Sequence, residues 1–350
     1  MSFSATILED AVVGLQSNNT FNQYKFRQQT WGALKATMDQ TDMLVPAAAL
    51  ESAKASQTHV TKIPLLDRTV HTAGNIRTCD PACPPTASSF YTPTYATYTF
   101  EVCCVPAEHQ NNYISMQQSI ENQIALGSAA VMDALNVAAV ANLTTNAATA
   151  VDAGSTTLPD VSFAAGVYTI AATSREQFYT LLPTIMAHND YDPRFVEIAS
   201  LNSRVLQEQI RQLGTANERN IARQIGNNDN GNDTFAFSLS KDIAAVGAFT
   251  DSFVMPMGSV GALSWVDYEA RNRSRISETN FWSVMDDPFG MGLTFGVYTK
   301  TECNDNSSIA LGLEQTRQIK WQFSVDVAFL AARGNNLVAG DSPIYKFAID

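Results

Sequence analysis

Charged residues are scarce in this chain of 350 residues, at 16% of the sequence, against the roughly 25% that is usual for soluble domains. Apolar residues make up 45%, so we expect much of the surface to be hidden in contacts. Lys and Arg number 22 against 34 Asp and Glu, which gives a net charge of −12. This balance lacks the basic footprint of a dedicated nucleic-acid binder.

Long apolar runs are missing as well. Residues 1–10 are polar and have neither the basic start nor the apolar block of a secretory signal. The most apolar run, residues 134–141, is too short to span a bilayer. The sequence therefore predicts a soluble protein that is made in the cytoplasm and has no membrane partner.

Histidine and cysteine, the usual metal ligands, are few. The four histidines include no ligand-spaced pair, and the odd count of five cysteines does not fit a secreted disulfide framework. Paired strands could bring Cys79, Cys83, Cys103 and Cys104 together around zinc, but the CxxC spacing is absent and adjacent cysteines chelate poorly. Zinc, a late disulfide and plain thiols remain open, with thiols favoured, and we predict no metal and no cofactor.

Catalytic motifs are also incomplete. Ser259, between Gly258 and Gly261, resembles a nucleophile elbow, but Met257 stands where the first glycine belongs. No convergent histidine and acid accompany it, so we predict no catalytic residue and rank a serine hydrolase last among the alternatives.

A strand-rich segment, residues 59–105, runs directly into a long helical pattern. In residues 95–105 apolar and polar side chains alternate, which predicts a strand with one face made of Ala96, Tyr98, Phe100 and Val102. Earlier strand-like runs lie at residues 59–66 and 70–78. Together they predict a two-stranded arm with an irregular tip, and such a ribbon needs something to pair with or lie on.

The helical pattern covers residues 108–142 and carries only three charges, at Glu108, Glu121 and Asp133. Its apolar residues recur every three to four positions, and its length would be roughly 50 Å. A coiled coil is one interpretation, because the spacing approaches heptads. We favour a spine packed on a sheet, because flanking charges are missing and Gly127 interrupts the seam of large residues.

The second half of the chain alternates short helices and strands up to residue 318. Residues 319–331 then alternate apolar and polar side chains, which predicts a long amphipathic strand, and a last strand is predicted at 344–349. Arg271, Arg273 and Arg275 would share one face of a strand. They could contact DNA phosphates or carboxylates of another subunit, and the acidic net charge favours the second.

This order of elements resembles the major capsid protein of tailed bacteriophages, the Hong Kong 97-type capsid fold. The resemblance implies an α+β fold with an N-terminal arm, an extended β loop, a long spine helix, and peripheral and axial domains. Its divisions here are the arm at 1–58, the β loop at 59–107, the spine helix and peripheral domain at 108–169, the axial domain at 170–318 and returning peripheral-domain strands at 319–350. Residues 254–259, before Trp265, are also similar to axial-domain segments.

The resemblance implies a structural protein that self-assembles through hexamers and pentamers into an icosahedral head around double-stranded DNA, without sequence-specific binding. It implies a virion location after assembly in the host cytoplasm, with portal and decoration proteins as partners. About 58 residues precede the loop, which implies a separate scaffolding protein, none, or an unprocessed start. A Lys–Asn crosslink cannot be mapped, although Lys62 is the only loop lysine.

Candidate residues for contacts between subunits are Lys62, Tyr95, Tyr98, Phe100, Arg271, Arg273 and Arg275. The alternative function is another oligomeric structural or binding protein of the virion.

Overall fold

The described residues form an α+β fold in which three sheets accompany one long helix. The structure is a computed structural model and describes residues 31–57, 62–66, 88–106, 115–191, 195–207, 209, 236–244, 246–304, 316–334 and 340–350. Its α-helices, besides a helical stretch at 203–207, are α1 (Gly32–Asp39), α2 (Thr41–Leu44), α3 (Ala47–Ala55), α4 (Met116–Thr145), α5 (Phe178–His188) and α6 (Tyr268–Arg271). Its strands are β1 (Ile63–Leu66), β2 (Ser88–Tyr91), β3 (Ala96–Cys104), β4 (Val161–Ala164), β5 (Val167–Ile170), β6 (Phe195–Ala199), β7 (Ala236–Leu239), β8 (Thr250–Pro256), β9 (Val260–Trp265), β10 (Asn280–Asp286), β11 (Thr294–Asn304), β12 (Thr316–Ala331) and β13 (Tyr345–Ile349).

The long helix α4 packs on a five-stranded sheet with the order β10-β11-β12-β3, in which β9 also pairs with β12. Ile120, Ile124 and Leu135 of the helix share one buried core with Val102 of β3 and Trp321 of β12. The prediction of a spine on a sheet is therefore confirmed, and the coiled-coil interpretation is wrong. The predicted strand at 319–331 is confirmed as the 16-residue β12.

Helix α4 begins at a capping box. The side-chain oxygen of Ser115 accepts from the backbone N–H of Gln118, whose side chain accepts from the N–H of Ser115, so two unpaired helix-end donors are satisfied. The extended backbone of Ser115, with φ −68° and ψ 151°, means that the predicted start at residue 108 is wrong. The helix has 30 residues, or about 45 Å.

Helix α4 is long and apolar enough to cross a membrane by length and composition. The prediction from the sequence considered only the run at 134–141, which is too short to cross a bilayer, whereas the whole helix meets the requirement of length and composition. Core helices of folded domains meet it too, and Ile120, Met132 and Leu143 of this helix are fully buried within the subunit.

A second, six-stranded sheet has the order β4-β5-β13-β8-β6-β7. It is mixed, because β13 runs parallel to β5 and β6 runs parallel to β7. Helix α5 covers it with Phe178, Leu182 and Ile185, in a core where the rings of Tyr168 and Phe347 stack with centroids 5.1 Å apart.

The two larger sheets cut across the predicted divisions. Strands β9, β10 and β11 fall within 170–318 but belong to the spine sheet, whereas β4 and all but the last residue of β5 fall within 108–169 but belong to the second sheet. The last strand, β13, does not return to the spine sheet and lies between β5 and β8. The reason is long-range pairing: β12 is long enough to hold β11 and β9 end to end, and it pairs with β3 as well.

The described part of the predicted N-terminal arm is folded onto its own subunit. Trp31 and Leu34 are buried in the spine core, and a Cβ at Gly32 would overlap the backbone of Leu239. Residues 31–57 are mostly helical, with α1, α2 and α3 in succession. Residues 1–30 lie outside the described residues.

The two-stranded ribbon is confirmed for its described part, because β1 and β2 pair antiparallel over four residues each. The run at 70–78 and the tip lie outside the described residues. Strand β3 is wrong as a member of the arm, since it pairs with β12 from Ala96 to Cys104. The apolar face of β3 was predicted correctly, but it packs against α4 of its own subunit and not against a neighbouring subunit.

Candidate interaction surface

The β1–β2 ribbon presents one face to its own subunit and one away from it. Ile63 is buried in a small apolar cluster with Leu263 and Leu330. Phe90 on the other face is 67% exposed, with the Nζ of Lys62 6.0 Å from its ring centroid. An exposed phenylalanine on a two-stranded ribbon is an apolar surface that a partner can cover. The interface role of Lys62 stays a prediction.

A groove of about 740 Å³ lies where the ribbon joins the subunit. Its walls include Ile63 and Tyr91 of the ribbon, Leu44 of α2, and Leu330 and Arg333 at the end of β12. The end of the ribbon that joins the subunit therefore borders this groove.

Strand β3 forms an edge of the spine sheet. Its nine residues pair on one side with β12, and no strand in the described ranges pairs with its other side. The backbone N–H of Cys103 points outward and donates to Oε1 of Gln123 on α4, at 3.2 Å. Because backbone groups alternate sides along an antiparallel strand, the N–H and C=O groups of Thr97, Thr99 and Glu101 point outward too.

Leu126 of α4 adjoins this edge. It follows Gln123 by three positions and so lies on the same side of the helix. Gly127, the next residue, touches the ring of Phe100 on β3. Leu126 is 48% exposed, so an exposed apolar side chain lies next to the outward backbone groups of β3.

The three aromatic interface candidates pack within their own subunit. Phe100 stacks on Phe323 with ring centroids 4.4 Å apart. Tyr98 packs against the same core, and burial raises the pKa of its hydroxyl. Tyr95 packs against the small apolar cluster that contains Ile63. The apolar face that carries Tyr98 and Phe100 covers α4 of its own subunit, and an interface role for the three aromatic residues stays a prediction.

The three arginines do not share a strand face. Arg271 ends helix α6, donates to the backbone carbonyls of Lys54 and Ser56, and lies 5.4 Å from the Trp265 ring centroid. Arg273 is exposed with a left-handed φ of 50°. The prediction of one face is therefore wrong, and Arg271 joins α6 to the end of α3 and the residue after it.

Arg275 lies close to an acidic residue of its own chain, with Nη2 3.8 Å from Oε1 of Glu278. Both side chains are exposed, so this pair contributes little. Contacts of Arg273 and Arg275 with DNA or with another subunit stay predictions.

A polar network that sequence reasoning missed fixes α1 to the spine helix. The indole N–H of Trp31 donates to Oδ1 of Asp133 at 2.8 Å, and Lys241 approaches the same oxygen at 3.0 Å. One turn on, Oδ1 of Asn136 accepts from the N–H of Leu34 at 3.2 Å. The signal was present, because Asp133 and Asn136 are the two polar residues in the apolar run from Ala129 to Ala141.

The outer face of the spine sheet carries an ion cluster. Glu302 lies between Lys300, at 2.6 Å, and Lys320, and hydrogen bonds from these lysines lower its pKa to about 2. All three side chains are partly exposed, so the cluster helps to define the polar side of the sheet.

Glu197 on β6 is the most perturbed acid of the described residues. Its side chain is fully buried, and burial raises its pKa to about 8, although the hydroxyls of Tyr179 and Ser252 act in the opposite direction. The carboxyl is thus mostly neutral at pH 7. Because the side chain is fully buried, a substrate proton cannot come within the hydrogen-bond reach that a general base needs.

The residues considered for chemistry have structural contacts. Ser259 closes the β8–β9 turn, with its hydroxyl donating to the carbonyl of Pro256 at 2.7 Å. Asp287 accepts from the N–H groups of Phe289 and Met291 and so holds the turn after β10. Cys103 and Cys104 are thiols outside any disulfide, while Cys79 and Cys83 lie outside the described residues. Within the described ranges, no three metal-ligating side chains come together.

Comparisons with known proteins place the chain beside phage structures. No protein-family model and no curated protein matches it. Similar solved structures include one from Mycobacterium phage Che8, with a TM-score of 0.46 and 8% identity over 88% of this chain and 89% of that chain. Others are the capsid of cyanophage P-SCSP1u, with 0.41 and 10% over 85% of each chain, and the capsid of Ralstonia phage GP4, with 0.42 and 10% over 82% and 83%. Scores and identities this low leave the function to be argued from the chain's own contacts.

Proposed function

We propose that this chain is a structural subunit, the major capsid protein of a tailed bacteriophage, which self-assembles into an icosahedral head around double-stranded DNA. The observation that carries the proposal is a ribbon of only two described strands on a rigid unit made of α4 and the spine sheet. A two-stranded ribbon is marginal by itself, so it suits a subunit that is completed by its neighbours.

The order of elements supports the same function. A helical N-terminal segment, a ribbon, a long helix on a sheet and a long strand returning beneath that helix follow one another. The resemblance to the Hong Kong 97-type fold implies this order. We assign the peripheral domain to α4 with the five-stranded sheet, and the axial domain to the six-stranded sheet with α5.

The partners follow from this role. Copies of the chain would form hexamers and pentamers in the host cytoplasm and remain in the virion. A scaffolding protein, a portal and decoration proteins would be further partners. The net charge of −12 favours packaged DNA that is enclosed without sequence-specific binding. The role is structural and requires no catalysis.

Purified full-length protein tests the proposal by size exclusion with light scattering and by negative-stain microscopy. Hexamers, pentamers or closed shells are the expected products. A stable monomer at high concentration would contradict the proposal. Tubes or isolated trimers would favour another oligomeric protein of the virion.

A further inference from the structure

We propose that the first turn of α5, residues 178–182, is a flap over Glu197 that hinges at Pro183 and opens when the Glu197 carboxyl loses its proton. Glu197 is a buried acid that the proposed function leaves without a role. All of the groups involved belong to one subunit, so this inference goes beyond the proposed function and does not rest on it.

The carboxyl of Glu197 lies where a negative charge is poorly accommodated. The side chain is fully buried on β6, and neither of its oxygens has a hydrogen bond of ordinary geometry from the part of the chain that the structure describes. The hydroxyls of Tyr179 and Ser252 act to lower its pKa, but burial outweighs them and raises it to about 8. A carboxylate at this position therefore needs water, and water requires an opening.

The groups that face Glu197 come from four elements. Tyr179 approaches it from α5 and Ser252 from β8, and Phe237 lies opposite it on β7. Gln207, in the helical stretch after β6, contacts the hydroxyl of Tyr179. Of these groups only the Tyr179 hydroxyl titrates, and burial together with the nearby carboxyl raises its pKa as well. The flap therefore places a neutral phenol, and not a compensating cation, against the acid.

The other charged or titratable groups described on these elements point away from Glu197. Asp251 is next to Ser252 on β8 and so lies on the opposite face of the sheet, where it accepts from the N–H groups of Val246 and Gly247. Arg204 and His188 are exposed. Opening to solvent is thus the way in which a charge on Glu197 can be stabilised.

The first turn of α5 is separated from the rest of the helix. Pro183 has no N–H, so the carbonyl of Tyr179, four positions earlier, lacks its helical hydrogen bond. The second half of the helix is held in place, because Asn189 donates to the carbonyl of Ile185 at 2.8 Å and to the Tyr168 hydroxyl at 3.2 Å. An opening that starts at Glu197 therefore ends at Pro183.

The segment before the flap is fixed as well. The hydroxyl of Ser174 donates to Oδ2 of Asp160 at 2.5 Å, which confines the opening to the residues between Ser174 and Pro183. Phe178 and Leu182 lie in this interval and are fully buried in the core of the second sheet. An open flap therefore uncovers apolar surface in addition to the acid.

The opening should increase with pH. In the closed form Glu197 keeps its proton up to about pH 8, whereas in the open form it meets water and releases the proton near its ordinary pKa of 4.5. The closed form binds more protons between these values. The opening constant should therefore rise about tenfold per pH unit within this window and level off above it.

Amide hydrogen exchange of the full-length protein tests the flap. Wild type, Glu197→Gln and Glu121→Gln are compared at about pH 5.5, 6.5 and 7.5, and protection is the intrinsic exchange rate divided by the measured rate. Glu121→Gln is the matched control, because Glu121 is a second buried glutamate, on α4. Protection of residues 178–182 should fall about tenfold per pH unit in wild type and in the control, and stay constant in Glu197→Gln.

Low urea distinguishes the flap from unfolding of the whole subunit. A flap exposes little surface, so protection of residues 178–182 should change little with urea below the unfolding transition, whereas protection of α4 should fall. Pro183→Ala supplies the missing N–H and should raise protection of residues 178–182 about fivefold at every pH. Unchanged protection in this variant would overturn the hinge.

A flat pH profile at residues 178–182 in wild type, or the same slope in Glu197→Gln, would overturn the proposal. Equal protection and equal urea dependence in residues 178–182 and in α4 would overturn it too, because the turn would then open only with the whole subunit. The proposed self-assembly stands or falls separately, since none of these outcomes depends on contacts between copies.

Discussion

Glu197 gives the second sheet a pH dependence at the scale of a single residue. The folded protein holds its proton up to a pKa of about 8, whereas an unfolded glutamate releases it near pH 4.5. The folded state therefore binds more protons between these values, and the free energy of unfolding falls as pH rises through that window, by up to about 1.4 kcal/mol per pH unit.

Glu197→Gln should remove this slope. The variant and the wild type are expected to differ little below about pH 4.5 and to diverge up to about pH 8, with the variant becoming the more stable by a few kcal/mol. Urea unfolding of dilute monomer across this range measures the difference. Parallel pH profiles for the two proteins would show that Glu197 is ionised in the fold.

Gly127 is needed where α4 crosses β3. A Cβ at this position would overlap the ring of Phe100, which is itself held by Phe323. Gly127→Ala should lower the free energy of unfolding by about 1–2 kcal/mol, because overpacking outweighs the gain in helix propensity of about 1 kcal/mol.

The double variant Gly127→Ala with Phe100→Leu is the matched control for Gly127. A smaller side chain at position 100 should recover part of the loss, and urea denaturation measures both variants. A Gly127→Ala protein that is more stable than the wild type would show that the contact between α4 and β3 can accommodate a methyl group.

At the scale of elements, Asn136 joins α1 to α4. Its amide donates to Oγ of Ser240 at 2.9 Å and accepts from the N–H of Leu34, so it also reaches the loop after β7. Asn136→Ala leaves these buried groups unpaired and should cost about 1–3 kcal/mol, with faster amide exchange at Leu34.

Asn122→Ala is the control for Asn136, since Asn122 is exposed on the same helix and its loss should change stability by less than about 0.5 kcal/mol. Equal losses in the two variants would mean that α1 is held by apolar burial alone.

The elements themselves were largely predictable, and their partners were not. The alternation in β3 and β12 and the helical spacing in α4 correctly identified the faces that are buried. From the same patterns β3 was predicted in the arm and β13 in the spine sheet, and both predictions are wrong. An apolar face indicates that an element is covered, but it does not indicate which other element covers it. The prediction that the three arginines share one strand face failed for a local reason, since Arg271 ends the helix α6 and does not lie in a strand.

At the scale of the whole molecule, low charge content decides how assembly responds to salt. Each copy carries a net charge of −12, so copies repel one another at low ionic strength. Raising NaCl from about 50 to about 500 mM should screen repulsion between copies and lower the threshold concentration for assembly, or leave it unchanged. Light scattering measures this threshold, and particles that dissolve in high salt would indicate contacts built on ion pairs.

The sequence by itself determined the long spine helix, the ribbon and the long amphipathic strand beneath the helix, since local periodicity sets which face of each element avoids water. Only the tertiary structure decided which sheet each strand joins, that Trp31 and α1 fold onto the spine, and that Tyr98 and Phe100 face inward. These depend on hydrogen bonds and packing between residues far apart in the chain. The scarcity of charge predicted a surface made for contact, and the edge of β3 that no described strand pairs with and the exposed Phe90 are two candidate surfaces.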